Sequence, residues 1–200
     1  MRRALLISAL LVLTLVGWNM VSADDGFYVI PTMKGNYAPV PKTGQTDPYG
    51  LIGTDGALQK GVAWPAPRFT DNNNGTVTDN LTKLIWTKNA NAFGTKTWSE
   101  ALNSANNLKS GDAGLTDGSQ AGDWRLPNRR ELFSLVDDST VTPALPAGHP
   151  FTNVQSSFYW SSSTYTYITT DAWGVNFLDG HVDHVFKDSL YYVWCVRAGP

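Results

Sequence analysis

The sequence predicts an α+β domain, and three observations carry that expectation. Two segments, opening at Thr97 and Asn128, combine helix-start chemistry with apolar residues at helical spacing. Everything after Pro150 reads as short strands punctuated by Gly, Asp and Ser turns. Two early helices are followed by a late antiparallel sheet, an order that belongs to α+β and not to a wound parallel sheet.

The chain has 200 residues, of which 42% are hydrophobic and 16% charged. That suffices for one ordinary core, with or without an appendage. Fifteen basic residues against seventeen acidic ones give a net charge of -2, so there is no basic field for general nucleic-acid binding. Eight each of Trp, Tyr and Phe exclude a wholly disordered chain. A single cysteine, Cys195, excludes an intrachain disulfide framework and a Cys-cluster metal site. Its setting, Tyr191-Tyr192-Val193-Trp194-Cys195-Val196, predicts a buried, inert thiol.

The elements follow in chain order. Arg2 and Arg3, the apolar run 4–16 and the small-residue site Val21-Ser22-Ala23 predict a secretory signal peptide over residues 1–23. An uncleaved anchor is the alternative, since residues 4–23 nearly suffice to span a bilayer. Cleavage leaves no membrane span and lowers the charge to -4, because only Arg2 and Arg3 are lost. The mature protein is then exported, with periplasm, cell surface and medium all open. Residues 24–67 are punctuated by Pro31, Pro39, Pro41, Pro48, Pro65 and Pro67 and predict an extended arm, draped over the domain or serving as a linker.

The domain proper is expected over residues 68–200. Asn74-Gly75 predicts a hairpin turn, since both residues tolerate positive φ, and Leu84 and Trp86 share one face of the strand that follows. Thr97-Trp98-Ser99-Glu100 is a capping box, with Trp98, Ala101, Leu102, Ala105 and Leu108 at helical spacing behind it. Residues 110–122 form a Gly/Asp-rich loop. Asn128 opens a second helix with Leu132, Phe133, Leu135 and Val136 as its apolar side. Strands are expected over 158–161, 172–178, 182–187 and 192–197, with Asp179-Gly180 as a tight turn.

Several of these stretches also resemble one family. Arg68-Phe69-Thr70-Asp71, the run 75–82 and Leu84-Ile85-Trp86 resemble the opening of the Lcl C-terminal domain family. Asp123-Trp124-Arg125-Leu126-Pro127-Asn128-Arg129-Arg130-Glu131-Leu132 resembles its central motif. Tyr159-Trp160-Ser161-Ser162-Ser163, Ala172-Trp173-Gly174-Val175-Asn176-Phe177, Gly180, Lys187 and Val193-Trp194-Cys195-Val196-Arg197 resemble its closing motifs. The resemblance implies a C-type-lectin-like fold, two helices packed on antiparallel sheet with long loops, related to the formylglycine-generating-enzyme and variable-receptor branches. It also implies an exported bacterial adhesin or ligand receptor, a group that includes binders of sulfated polysaccharide. Trp194 stands where the family commonly has Arg, which weighs against a polyanion ligand and adds an apolar stacking surface.

The chemistry-bearing constellations each have a plain structural reading. Asp71-Asn72-Asn73-Asn74-Gly75 with Asp79 fits a calcium loop only in part, because the spacing to a bidentate carboxylate is wrong for an EF-hand and two ligands would be neutral Asn. The expectation is a self-capping hairpin and no cofactor, with Ca2+ as the alternative. His181 and His184 fall on opposite faces of a strand and cannot share one ion. Glu100 and Glu131 sit at capping positions. There is no Gly-x-Ser-x-Gly or His-Glu-x-x-His motif, and the formylglycine-generating relatives need paired thiols, so an enzyme is not expected.

The late strands hold the candidate site. Alternation places Trp173, Val175 and Phe177 on one face, taken as the core side. The predicted ligand surface then comprises Asn176, Asp179, His181, Asp183, Lys187, Tyr191 and Trp194, rimmed by Tyr165, Tyr167 and Asp171. Aromatic rings suit sugar C–H faces, and Asn, Asp and His supply directional hydrogen bonds. The expected partner is an extracellular glycan or protein, with homo-oligomerisation as a route to avidity. The alternatives are an enzyme modifying exported proteins or glycans, and a surface-assembly subunit pairing through residues 24–67.

Overall fold

The computed structural model describes residues 40–199. The expected signal segment 1–23 and the first part of the arm, 24–39, lie outside the described residues. In chain order the elements are α1 (Asp55–Leu58), β1 (Phe69–Asp71), β2 (Thr76–Asp79), β3 (Ile85–Thr87), β4 (Thr95–Lys96), α2 (Trp98–Asn107), α3 (Arg129–Phe133), β5 (Phe158–Thr164), β6 (Asp171–Asn176), β7 (Val182–Phe186), β8 (Tyr191–Tyr192) and β9 (Val196–Arg197). The class is α+β, with short helices and two largely antiparallel sheets, as in lectin-like folds. One sheet has the order β1-β2-β3-β9 and the other β4-β8-β5-β6-β7. All named pairings are antiparallel except β5 with β8.

The expected strand over 192–197 is instead two short strands in different sheets. β8 pairs with β4 and β5, whereas β9 pairs with β3. The segment between them passes through the interior and is apolar on both sides. Tyr192, Trp194 and Val196 face one hydrophobic cluster, with Trp86, Tyr159, Val175 and Phe177. Tyr191, Val193 and Cys195 face the other, with Trp124, Trp160, Ala101 and Ala105 of α2. Tyr159 and Trp160 divide in the same way, as do Trp86 and Ile85. The central strands are therefore covered on both faces, and their alternation distributes side chains between two cores and not between core and water.

Local chemistry explains the helices. At the start of α2 the Glu100 carboxylate accepts from the Thr97 N–H at 3.0 Å and the Thr97 hydroxyl at 2.9 Å. The capping box read from the sequence is present, and the hydroxyl additionally donates to Glu100. At α3 the Asn128 side chain accepts from the Arg130 and Glu131 N–H groups, and Glu131 accepts from the Asn128 N–H at 2.8 Å. Glu131 also takes a two-pronged pair from Arg125, both contacts 2.7 Å. α3 ends at Phe133, one turn earlier than the apolar pattern suggested; Leu132, Leu135 and Val136 are buried while Phe133 points outward.

Residues 40–67 lie on the domain. The Thr43 carbonyl accepts from the Asp138 N–H at 2.9 Å, and the Val40 and Val62 backbones bond to each other. The Trp64 indole N–H donates to the Lys42 carbonyl at 3.0 Å. Arg68 links this segment to the core. Its guanidinium lies 4.5 Å over Trp64, donates to both oxygens of the buried Asp79 and reaches the Ser134 carbonyl at 2.6 Å, just past α3. Asp79 further accepts from the Leu81 N–H and the Thr82 hydroxyl. Among the described residues no helix is long and apolar enough to cross a membrane.

Two outcomes test these supports. Asp79→Ala leaves the Arg68 charge buried without its partner, so urea unfolding should lose about 3–5 kcal/mol; a loss within the roughly 0–1 kcal/mol of exposed pairs would show that the bond does not hold the sheet to α3. Burial pushes the Glu131 carboxyl up, but its Arg125 and Asn128 partners outweigh this and hold it below its ordinary value of 4.5. The stability it contributes is present above the ordinary value and lost as pH falls through the lower folded one. Glu131→Gln should therefore flatten the fall in melting temperature below pH 4.5 relative to the parent protein.

Candidate functional site

The motif at residues 123–128 sets where α3 begins. Trp124 and Leu126 are buried, and the Arg125 backbone pairs with Val196 in both directions at 3.0 Å. The Pro127 carbonyl then accepts from the Ser162 N–H at 2.8 Å, and the Arg129 N–H donates to the Ser163 hydroxyl at 3.1 Å. These bonds dock the first turn of α3 against the outer end of β5. Trp173 in β6 lies beside it, with the Arg129 guanidinium 4.4 Å over its ring.

The rest of the site comes from the turn between β5 and β6 and from β7. Trp173 pairs directly with His184. The His184 ring stacks on Tyr165 at 4.1 Å with an 18° interplanar angle, and Tyr165 meets the Trp173 ring edge-on at 5.0 Å. His184 Nδ1 is 2.8 Å from an Asp171 carboxylate oxygen, a bond that fixes the ring's orientation. Tyr167, 85% exposed, stands 6.2 Å from Tyr165 at the tip of the turn.

This aromatic group borders two adjoining surface cavities. One, of about 490 Å3, is lined by Asn128, Ser163, Thr164, Thr166 and Tyr165 along with Arg129, Arg130 and Trp173. The other, about 350 Å3, adds Phe133 and Val182 to the same two arginines and Trp173. Both volumes fall in the roughly 300–1,000 Å3 range of ligand sites. Among the described residues neither Arg129 nor Arg130 has an acidic partner.

The structure brings together only part of the predicted surface. Tyr165, Tyr167 and Asp171 belong to the aromatic group. Lys187 does not present its charge outward: its ammonium donates to the Thr164 hydroxyl and the Thr169 carbonyl and lies 4.1 Å over Trp98, holding the Tyr165–Tyr167 turn from behind. Asp179 and His181 pair with each other at 2.7 Å, and His181 packs on Phe158 together with Tyr191, away from the cavities. Asn176 accepts from the Leu178 N–H within its own turn. Asp183 is exposed and bonds to the His184 N–H.

Trp194 is the clear correction. It is fully buried, donates its indole N–H to the Thr87 carbonyl at 2.9 Å and packs on Trp86, Phe151, Tyr159 and Phe177. The expectation assumed that one sheet face met water, and here both faces are covered. It therefore offers no stacking surface to a ligand.

Trp173 is the converse case. It shares a face with the buried Val175 and Phe177, but at Trp173 that face meets the Arg129 guanidinium and an open cavity, leaving the ring half-buried at the surface. His184 and the arginines were likewise absent from the expected surface. The paired arginines after a cap were the one sequence signal that pointed there.

Elsewhere, the 71–79 hairpin spends its side chains on itself. Asp71 accepts from the Asn73 N–H and pairs with Lys88 at 2.6 Å, and Asn74 accepts from the Thr76 N–H and hydroxyl. Among the described residues no group of three or more His, Cys, Asp or Glu comes together to hold a metal ion. Cys195 is free and buried, and burial pushes its thiol pKa far upward, so the thiolate nucleophile is scarce.

A lectin-like α+β domain with an aromatic, arginine-lined surface groove is thus defined. The chain belongs to the Lcl C-terminal domain family, whose sequence profile matches residues 75–197. No curated protein matches it.

Burial decides the roles of the two tryptophans. Trp194→Ala should cost about 3–5 kcal/mol in chemical denaturation, whereas Trp173→Ala should leave the unfolding free energy within about 1 kcal/mol of the parent protein's. Equal losses would show that the two rings are buried alike.

Proposed function

We propose that this protein is an exported module that holds a surface glycan or protein noncovalently, in the manner of an adhesin. Support for export comes from Arg2, Arg3, the apolar run 4–16 and Val21-Ser22-Ala23. The observation that carries binding is the Trp173 ring, held between Arg129 and Tyr165 and opening onto the groove. A ring fixed by its neighbours offers contact area at little cost in side-chain entropy, and the hydroxyls of Ser163, Thr164 and Thr166 supply directional bonds beside it. Capture of this kind requires neither cofactor nor metal. The His184–Asp171 pair is the feature that most favours an enzyme, but among the described residues no hydroxyl or thiol bonds to the His184 ring.

A second reading, a surface-assembly subunit, draws on Tyr49, Leu51 and Ile52, three exposed apolar side chains close together in the 40–67 segment. Homo-oligomerisation through this patch would add avidity to a weak site. Light scattering across a concentration series reads it directly.

Binding is tested on a glycan and extracellular-matrix protein array. The parent protein should give discrete hits that Trp173→Ala loses while circular dichroism stays unchanged. Hits that survive Trp173→Ala would move the site elsewhere.

A further inference from the structure

The two cavities differ in chemistry although they share a wall. The larger presents hydroxyls from Ser163, Thr164 and Thr166 beside Arg129 and Arg130. The smaller is closed by Phe133, Val182 and the Trp173 ring, with the same arginines at its edge. Phe133 is 42% exposed on the outer side of α3, and neither arginine has an acidic partner among the described residues. One occupant filling both halves must bring an apolar group and, next to it, a hydrogen-bonding anionic group. A sugar ring carries hydroxyls around its rim, and pressing these against Phe133 and Val182 leaves them without partners. A polypeptide meets both demands, with an apolar side chain for the smaller cavity, a carboxylate for the arginines and backbone groups for the hydroxyls.

We infer that the paired cavity binds a polypeptide segment in which an apolar side chain adjoins an acidic one. The inference rests on the binding-site reading above and narrows its ligand to protein. The apolar end and the charge together decide the occupant: the two guanidinium groups, which have no acidic partner among the described residues, match carboxylates, while the Phe133–Val182 end takes an apolar side chain and rejects a second charge.

Fluorescence anisotropy on the full chain tests this with labelled peptides Gly-Ser-X-Glu-Glu-Ser-Gly, where X is Phe, Leu or Trp. At least one should bind, and replacing X by Ala, or both Glu by Gln, should each weaken it about tenfold or more. Phe133→Ser should reduce the preference for X over Ala and leave that for Glu over Gln unchanged, and Arg130→Gln should do the reverse. Both positions are exposed, so neither variant threatens the fold. Heparin serves as the glycan comparison. Heparin binding that is lost in Trp173→Ala, with no peptide bound up to millimolar concentration, overturns the polypeptide assignment and leaves the site standing. Binding of either probe that Trp173→Ala does not weaken overturns the site itself, and the inference with it.

Discussion

The rest of the structure depends on the two-sided burial of residues 191–197. This one segment supplies the edge strand β9 of one sheet and the inner strand β8 of the other, and sends alternate side chains into two separate cores. Trp194 makes that possible. Its indole N–H is satisfied by the Thr87 carbonyl, so a large amphipathic ring can sit in the interior without an unpaired donor. Once the segment is in place, β3 and β5 are pinned relative to each other, and every other strand is measured from them.

The site exists where this coverage stops. α3 has only five residues, and α3 and β6 part at Trp173. The same face that is core at Val175 and Phe177 becomes a wall of an open groove at Trp173. The Tyr165–Tyr167 turn is not left loose over that opening. Lys187 ties it to β5 and α2, and the Asp171–His184 bond fixes the ring beneath Tyr165. The platform is thus held in shape from below and behind. A binding surface benefits from this, because ordering side chains at the moment of binding subtracts from affinity.

Arg68, Asp79, Arg125 and Glu131 show how a weakly charged chain uses its charges. The first pair joins the 40–67 segment, the first sheet and the end of α3; the second ties the central motif to the start of the same helix. Both clamp α3 and leave Arg129 and Arg130 free between them. Charge placement, and not net charge, determines what this surface attracts.

Much of the molecule was legible in the chain. The caps at Thr97 and Asn128, the turns at Gly75 and Gly180 and the apolar setting of Cys195 are all local, because each depends on residues a few positions apart. The details differ: Asn73 and not Asn74 takes the positive φ beside Gly75, the second turn spans residues 177–180, and four strands precede α2. The family motifs were also readable, since they are contiguous. Burial was not. Alternation says which side chains share a face but not what lies against that face, so Trp194 and Trp173 exchanged their expected places. Likewise Lys187 reads as a surface cation until Trp98 of α2 and Thr164 and Thr169 of the β5–β6 connection are brought around it. The amino-acid sequence by itself determined the elements, their turns and the stock of aromatic rings. Only the tertiary structure decided which rings meet solvent, because exposure depends on where a neighbouring element ends.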